Sequence, residues 1–375
     1  MKITRCEVFQ LDLPYRGGVY RLSGGREFTS FDGTFVRLVT DSGHEGWGES
    51  TPFGSTYIAA HAQGTRAALE LLGRAVIGLD PRETDRLNQA MDQALVGHLD
   101  AKAAIDIAAW DLFGKAVGMP VCALLGGSQE QPMPRISSIH LGEPQEMAAR
   151  VQAHRAQGYR GHSIKIGTAE RDGGPNADAA KILACLGDRQ PGEFFLVDCN
   201  GGLSVEHARR LLKLLPDSAD FVLEAPCGTW AETKLLRQGC AVPLILDELA
   251  TDEASVISLI QDGLADGVGL KITKAGGLTR GRRVRDICQA AGLSMSVQDT
   301  VGSALSFAAI CHLGATVDAQ LLSCVLDTRD MVTQLAGDFQ PRISGGGDVL
   351  PPLTPGLGFA PGEALAEAKP VAVYS

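Results

Sequence analysis

Two lysines close short apolar, β-prone runs: Lys165 in HSIKIG and Lys271 in GVGLKIT. Three acids close similar runs lying between them: Asp198 in FFLVDCN, Glu224 in DFVLEAP and Asp247 in PLILDEL. Any one acid alone reads as a helix cap or a solvated loop residue, and either lysine alone reads as the partner of an acid. Three carboxylates that each follow an apolar strand are a different matter. Hard oxygen donors converging from separate strands suit Mg2+, which keeps near-octahedral geometry and fills its remaining positions with water or substrate. No His or Cys cluster competes for a softer metal. A lysine partly desolvated beside such an ion has its pKa lowered and can act as a base near neutrality. Mg2+ on a substrate carboxylate would stabilise the enediolate that forms as an α-proton leaves. Glu248 is a second candidate beside Asp247, and Lys274 is expected to act structurally or electrostatically.

These residues need a scaffold that brings strand ends to one place. Lys165, Asp198, Glu224, Asp247, Lys271 and Gln298 follow one another at intervals of 33, 26, 23, 24 and 27 residues. Each interval is the length of one strand, one loop and one helix. Eight apolar runs can be read, RISSIHL, HSIKIG, FFLVDCN, DFVLEAP, PLILDEL, GVGLKIT, LSMSVQD and QLLSCVLD, with helix-length stretches between them. Eight such units close a (β/α)8 barrel over residues 126–354, with strand C-terminal ends at a common mouth. Lys165 and Lys271, on the second and sixth strands, would then face each other across it. An open doubly wound sheet would want a GxGxxG turn after its first strand, and none is present.

The preceding third has another rhythm. KITRCEVFQLDLPY and TFVRLVTDSGHEGWGES read as antiparallel strands around a polar loop, YRGGVYRLSGGREFTS. Helical spacing begins near Ala59 and culminates in AKAAIDIAAWDLFGKAVG. Residues 1–125 are thus an α+β unit, and the Pro/Gly/Ala-rich tail, 355–375, is expected to pack back on it. The chain of 375 residues is long enough for these two domains. Its net charge of −10 argues against nucleic acid or an anionic membrane as a partner. No apolar run reaches bilayer length and MKITRCEVFQ lacks a signal-peptide pattern. Nine scattered cysteines without a CxxC pair read as free thiols, which places the chain in a reducing cytoplasm.

Taken together the motifs resemble the enolase superfamily, in its muconate-lactonizing subgroup. AAIDIAAWDLFGKAVGMPVCALLGG is similar to the junction between that family's capping domain and barrel. DCN, EAP, DE and KITKAGGLT fall in the family's order and spacing. The resemblance implies Mg2+ at Asp198, Glu224 and Asp247, acid/base roles for Lys165 and Lys271, and loops near 15–30 and 51–57 that cover the site and select substrate. It also implies a homo-oligomer. Three departures narrow it. The second strand carries Ser163-Ile164-Lys165 where the subgroup usually has Lys-x-Lys, so a neighbour that would lower the Lys165 pKa by like charge is missing. The seventh strand ends in Gln298-Asp299 with no histidine base. The eighth, CVLDTRD, lacks the Asp-x-Asp of dipeptide epimerases.

Two bases on opposite faces of one enolate permit racemisation or epimerisation at the α-carbon, or loss of a β-hydroxyl opposite the α-hydrogen. The Ser-x-Lys variant and the YRLSGGR loop look most similar to members acting on proline derivatives. The expected small-molecule carboxylate is therefore cis-3-hydroxy-L-proline, to be dehydrated, with hydroxyproline betaine epimerisation or another amino-acid racemisation as the alternative. A muconate cycloisomerase, an o-succinylbenzoate-type synthase, a metal-free racemase and a non-enzymatic binding protein are the remaining readings. Tyr20, Tyr57 and Asp299 are candidates for the substrate's ring nitrogen, since aromatic faces and carboxylates attract ammonium groups. Ser163, Asn200 and Gln298 complete the expected contacts, and Arg21 and Arg26 face either a carboxylate or solvent.

Overall fold

The computed structural model describes residues 1–333 and 335–375. The N-terminal sheet is antiparallel, in the order Ala372–Tyr374, Ile3–Pro14, Ser30–Thr40, Glu45–Ser50. Its tight turn is Asp41-Ser42-Gly43, with Gly43 in the left-handed region at φ 80°. The last strand of the chain thus returns to pair with the first. Three helices, Ala62–Val76, Thr84–Ala94 and Leu99–Val117, cover one face of this sheet around Val8, Leu38, Leu72 and Ile105. Helix Leu99–Val117 is buried on nearly every side. Its alanines, and Gly46 and Gly48 on the facing strand, leave no side chain between the two backbones.

The stretch read as a polar loop contains a short hairpin, Tyr20–Leu22 with Arg26–Phe28. Its reversal is Ser23-Gly24-Gly25, where both glycines take φ 72°, a conformation that few other residues adopt without strain.

The barrel matches the expected count. Its strands are Arg135–Ile139, Gly161–Lys165, Phe194–Asp198, Val222–Glu224, Leu244–Leu246, Gly267–Lys271, Ser294–Gln298 and Leu322–Leu326. All eight pair in parallel and close on themselves. Each of the seven connections between them contains a helix, several started by side-chain caps at Ser204, Thr229 and Asp252, which satisfy otherwise orphaned N–H groups. The N-terminal unit is pinned to the barrel by buried acids. Glu49 accepts from Ser303 N at 2.9 Å and Ser303 Oγ at 2.6 Å. Asp106 accepts from Thr279 N at 2.9 Å and Oγ1 at 2.6 Å, and Trp110 Nε1 donates to the same hydroxyl at 2.9 Å.

Candidate active site

The six residues expected at strand ends do lie at the same end of the barrel. Lys165, Glu224, Lys271 and Gln298 are the last residues of their strands, Asp198 likewise, and Asp247 follows its strand directly. Lys165 is in register with Asp198, and Asp198 with Glu224. Strands two and six are four places apart in the ring of eight, so the two lysines are diametrically opposed.

Between them lies a small cavity, about 30 Å³, covered by the N-terminal unit. Its wall includes eight of the expected residues: Tyr20, Tyr57, Ser163, Lys165, Asn200, Lys271, Gln298 and Asp299. Asp198, Glu224 and Asp247 are not on that wall; each is only 1% exposed. Asp198 turns an oxygen to Lys165. Asp247 meets Lys271 Nζ at 2.5 Å and Lys274 Nζ at 2.7 Å. Lys274 also donates to Gly269 O at 3.2 Å, the structural role expected of it. Glu224 accepts from Gln298 Nε2 at 2.9 Å. Among the described residues no three His, Cys, Asp or Glu side chains are drawn into a metal cage in this arrangement.

The electrostatics nonetheless fit a hard cation. Burial, then the neighbouring charges of Asp198 and Asp247, push the Glu224 carboxyl well above its ordinary range. Three acids in mutual repulsion at the buried centre of a barrel mouth are a donor set that a divalent ion relieves. Asn200 Oδ1 and Glu248 Oε2 are buried there without a partner. At the two lysines burial and neighbouring charge oppose each other. Burial pulls the Lys165 ammonium down, but Asp198, Tyr20 and Glu224 outweigh it and hold it above its usual value. For Lys271 burial is likewise outweighed, by Asp247, Glu248 and Glu224. An amine facing bare carboxylates is kept protonated; the lowering expected beside Mg2+ belongs to the ion-loaded site.

The expected substrate contacts divide. Tyr57 reaches from the 51–57 loop, donates to Asp247 Oδ2 at 3.0 Å and accepts from Lys271. Tyr20 is 1% exposed, bonded to Ser138 and packed edge-on against Phe53 at 5.2 Å. Ser163 lines the cavity two residues before Lys165, on the same strand face. Asn200, at φ 46°, folds back onto Asp198 with N–Oδ1 at 2.8 Å and Nδ2–Oδ2 at 3.0 Å, so it orients the acid. Asp299 has both oxygens engaged: it accepts from Thr273 N at 3.2 Å, from the Thr273 hydroxyl and from Thr300 N at 2.8 Å. It braces the turn after Lys271, with Oδ2 carrying only the one bond from Thr273 N. Burial first of all lifts its carboxyl to about 6. Arg21 pairs with Glu27 at 2.8 Å and faces outward. Phe53, Ser138 and Met331 also line the cavity. Phe53 was legible only as an aromatic in the loop that carries Tyr57, and nothing in the sequence pointed to the other two.

Two family descriptions match the chain: the mandelate racemase / muconate lactonizing enzyme N-terminal domain over residues 30–126, and the enolase C-terminal domain-like family over residues 146–365. The chain belongs to the enolase superfamily. Among this superfamily's characterised members, a cis-3-hydroxy-L-proline dehydratase of Roseibium aggregatum is 36% identical over 100% of both chains. A hydrophobic dipeptide epimerase of Roseobacter litoralis is 32% identical over 80% of this chain and 84% of its own. A crystal structure from Roseovarius nubinhibens, assigned to the mandelate racemase/muconate lactonizing group and complexed with magnesium, superposes with a TM-score of 0.97 at 56% identity, covering 100% of both chains. The barrel with its strand-rich cap is that superfamily's architecture. Among the described residues no helix is long and apolar enough to cross a membrane, and all nine cysteines are free thiols.

Proposed function

We propose that this enzyme removes the α-proton of a small amino-acid carboxylate in a Mg2+-dependent reaction, and that the reaction is dehydration of cis-3-hydroxy-L-proline. The observation that carries the reading is the pair of lysines on opposite strands, flanking a cavity above three buried acids. Asp198, Glu224 and Asp247 would hold the ion, with Asn200 and Gln298 orienting two of them. Bound there, Mg2+ would supply the positive charge that steadies the enediolate oxygens.

The chain's own groups do the rest. In cis-3-hydroxy-L-proline the carboxylate and hydroxyl share one ring face, so the α-hydrogen lies on the other. One lysine takes that proton. The electron pair left at Cα forms the Cα–Cβ double bond as the Cβ–O bond breaks. The opposing lysine, as an ammonium, gives its proton to the departing hydroxyl, and water leaves. The resulting cyclic enamine tautomerises and hydrolyses to a 2-oxo acid. Tyr20 and Tyr57 present aromatic surface to the ring nitrogen, and with Phe53 they screen the cavity from water. The 36% identical dehydratase supports this substrate. A second reading, 2-epimerisation of proline derivatives, uses the same lysines and is favoured by the epimerase relatives.

The test is incubation with cis-3-hydroxy-L-proline and with proline-type acids in deuterated water. Dehydration gives a 2-oxo product, epimerisation gives deuterium at the α-carbon of the inverted isomer. Absence of both products with every such acid would exclude the reading. EDTA should abolish turnover and Mg2+ restore it; turnover that survives chelation would point to a metal-free reaction.

A further inference from the structure

We propose that Ser23 and Arg26 form a clip that sets both aromatic covers of the cavity, and that Gly202 and Gly167 exist as glycines to leave the notch in which Ser23 sits. Ser23 lies at the tip of the hairpin that carries Tyr20 and Leu22, between Leu22 and the exposed Gly24. Yet it is only 1% exposed. It is seated against the loops that follow the second and third barrel strands. A Cβ at Gly167 would stand 2.5 Å from Ser23 Cβ, and one at Gly202 would stand 2.7 Å from both Ser23 Cβ and Oγ. Gly167 follows Lys165 by two residues and Gly202 follows Asp198 by four. Gly167 also has φ 122°, which itself favours glycine, whereas at Gly202 it is the missing side chain that matters.

Arg26 closes the arrangement. Its Nε donates to Ser23 O at 2.9 Å and its Nη2 to Ser23 Oγ at 2.8 Å. Its Nη1 donates to Thr56 O at 3.2 Å, and the guanidinium lies 5.9 Å from the ring centre of Tyr57. One side chain therefore joins the hairpin bearing Tyr20 to the loop bearing Tyr57. Arg26 is not a free substrate contact; it is a positioning residue. Ser23 in its notch fixes Tyr20 and Leu22 on the Lys165 side, and Arg26 transmits that placement to Tyr57 beside Lys271. The catalytic part of this role rests on the function proposed above; the clip itself does not.

The test is a pair of substitutions of which the second should relieve the first. Gly202→Ala puts a methyl into the notch and unseats Ser23. When only a fraction of molecules has the loop seated, apparent affinity falls by that fraction. KM should therefore rise about tenfold with kcat largely retained, and trypsin should cut after Arg21 and Arg26 faster than in the parent. Ser23→Gly alone removes the hydroxyl acceptor and weakens the clip several-fold. In the Gly202→Ala background the same change removes the clash and should bring both KM and trypsin resistance back to the level of Ser23→Gly alone. A side chain with a merely structural role would not reverse sign in this way. Unchanged KM and trypsin resistance in Gly202→Ala, or no restoration in the double variant, would overturn the proposal. Should Gly202→Ala not fold, Arg26→Ala decides: faster cutting after Arg21 and a raised KM support the clip, and neither change sinks it. Trypsin resistance is read without substrate, so a failure of proline-type acids to react leaves this test intact.

Discussion

Lys165 and Lys271 hold equivalent positions on opposite strands and meet different surroundings. Lys271 is closed in: its side chain is 5% exposed, its amine bonds Asp247 and the Tyr57 hydroxyl, and Lys274 shares the same acid. Lys165 is more open, at 12%, bonded to Asp198, with Ser163 where the subgroup usually has a second lysine. One amine thus has a cationic neighbour tuning its acid, and the other has none. Interchangeable bases would suit a racemase that runs equally in both directions. An unequal pair suits a reaction in which one amine must arrive neutral and the other charged, as an anti dehydration demands.

The strongest way to break that comparison is to remove each amine in turn. Lys165→Ala and Lys271→Ala should each lower dehydration by about a thousandfold, the scale of a lost general acid or base. Exchange of the α-proton with deuterated water separates them. The variant lacking the acid still exchanges, and the variant lacking the base does not. If both variants exchange, or if both still dehydrate at near-parental rate, the two-lysine assignment fails.

Tyr57 offers a smaller and more local contrast, because its hydroxyl bonds Asp247 and Lys271 and reaches the Lys165 side only through a long contact from Asn200 Nδ2 at 3.5 Å. Tyr57→Phe keeps the ring and removes the bonds to Asp247 and Lys271. A hydrogen bond to a charged group contributes about 1.5–3 kcal/mol, so kcat/KM should drop roughly ten- to hundredfold. The matching change on the other side, Tyr20→Phe, removes a bond to Ser138 and none to an ionised group. It should cost about tenfold at most. Equal losses would erase the asymmetry.

How much of this could be read from the chain depends on the range of the interaction. The barrel was legible because each apolar run and its terminal charge are set by local spacing, and the 23–33-residue rhythm repeats. The two lysines and three acids were legible for the same reason. What the sequence could not carry is which atoms those charges spend on one another. Asp299 sits one residue after Gln298 and reads from sequence only as a contact for an ammonium, not as a brace. Only the fold brings Thr273, 26 residues earlier, onto its oxygens. Arg26 could have faced substrate or solvent until the 51–57 loop arrived beside it. The hairpin at Tyr20–Phe28 is not legible in sequence because three-residue strands have too little alternation to stand out from a glycine-rich loop. The protonation bias of the lysines depends on every acid around the mouth, and no local pattern contains that sum.

The smallest effect, and the most discriminating, comes from supplying what position 163 lacks. Ser163→Lys places a second ammonium on the same strand face as Lys165. Like charge disfavours the protonated amine, so the Lys165 pKa falls, by about one unit for 1.4 kcal/mol of repulsion. The sign then identifies the role. A general base acts when deprotonated, so its pKa sets the rising limb of the pH–rate profile. If Lys165 takes the α-proton, that rising limb moves to lower pH and the rate near neutrality increases. A general acid acts when protonated and sets the falling limb. If Lys165 instead protonates the leaving hydroxyl, the falling limb moves to lower pH and alkaline activity is lost. In either case the other limb belongs to Lys271 and stays where it was. A profile in which both limbs move together would mean that the two amines titrate as one coupled unit, and the contrast between them would not survive.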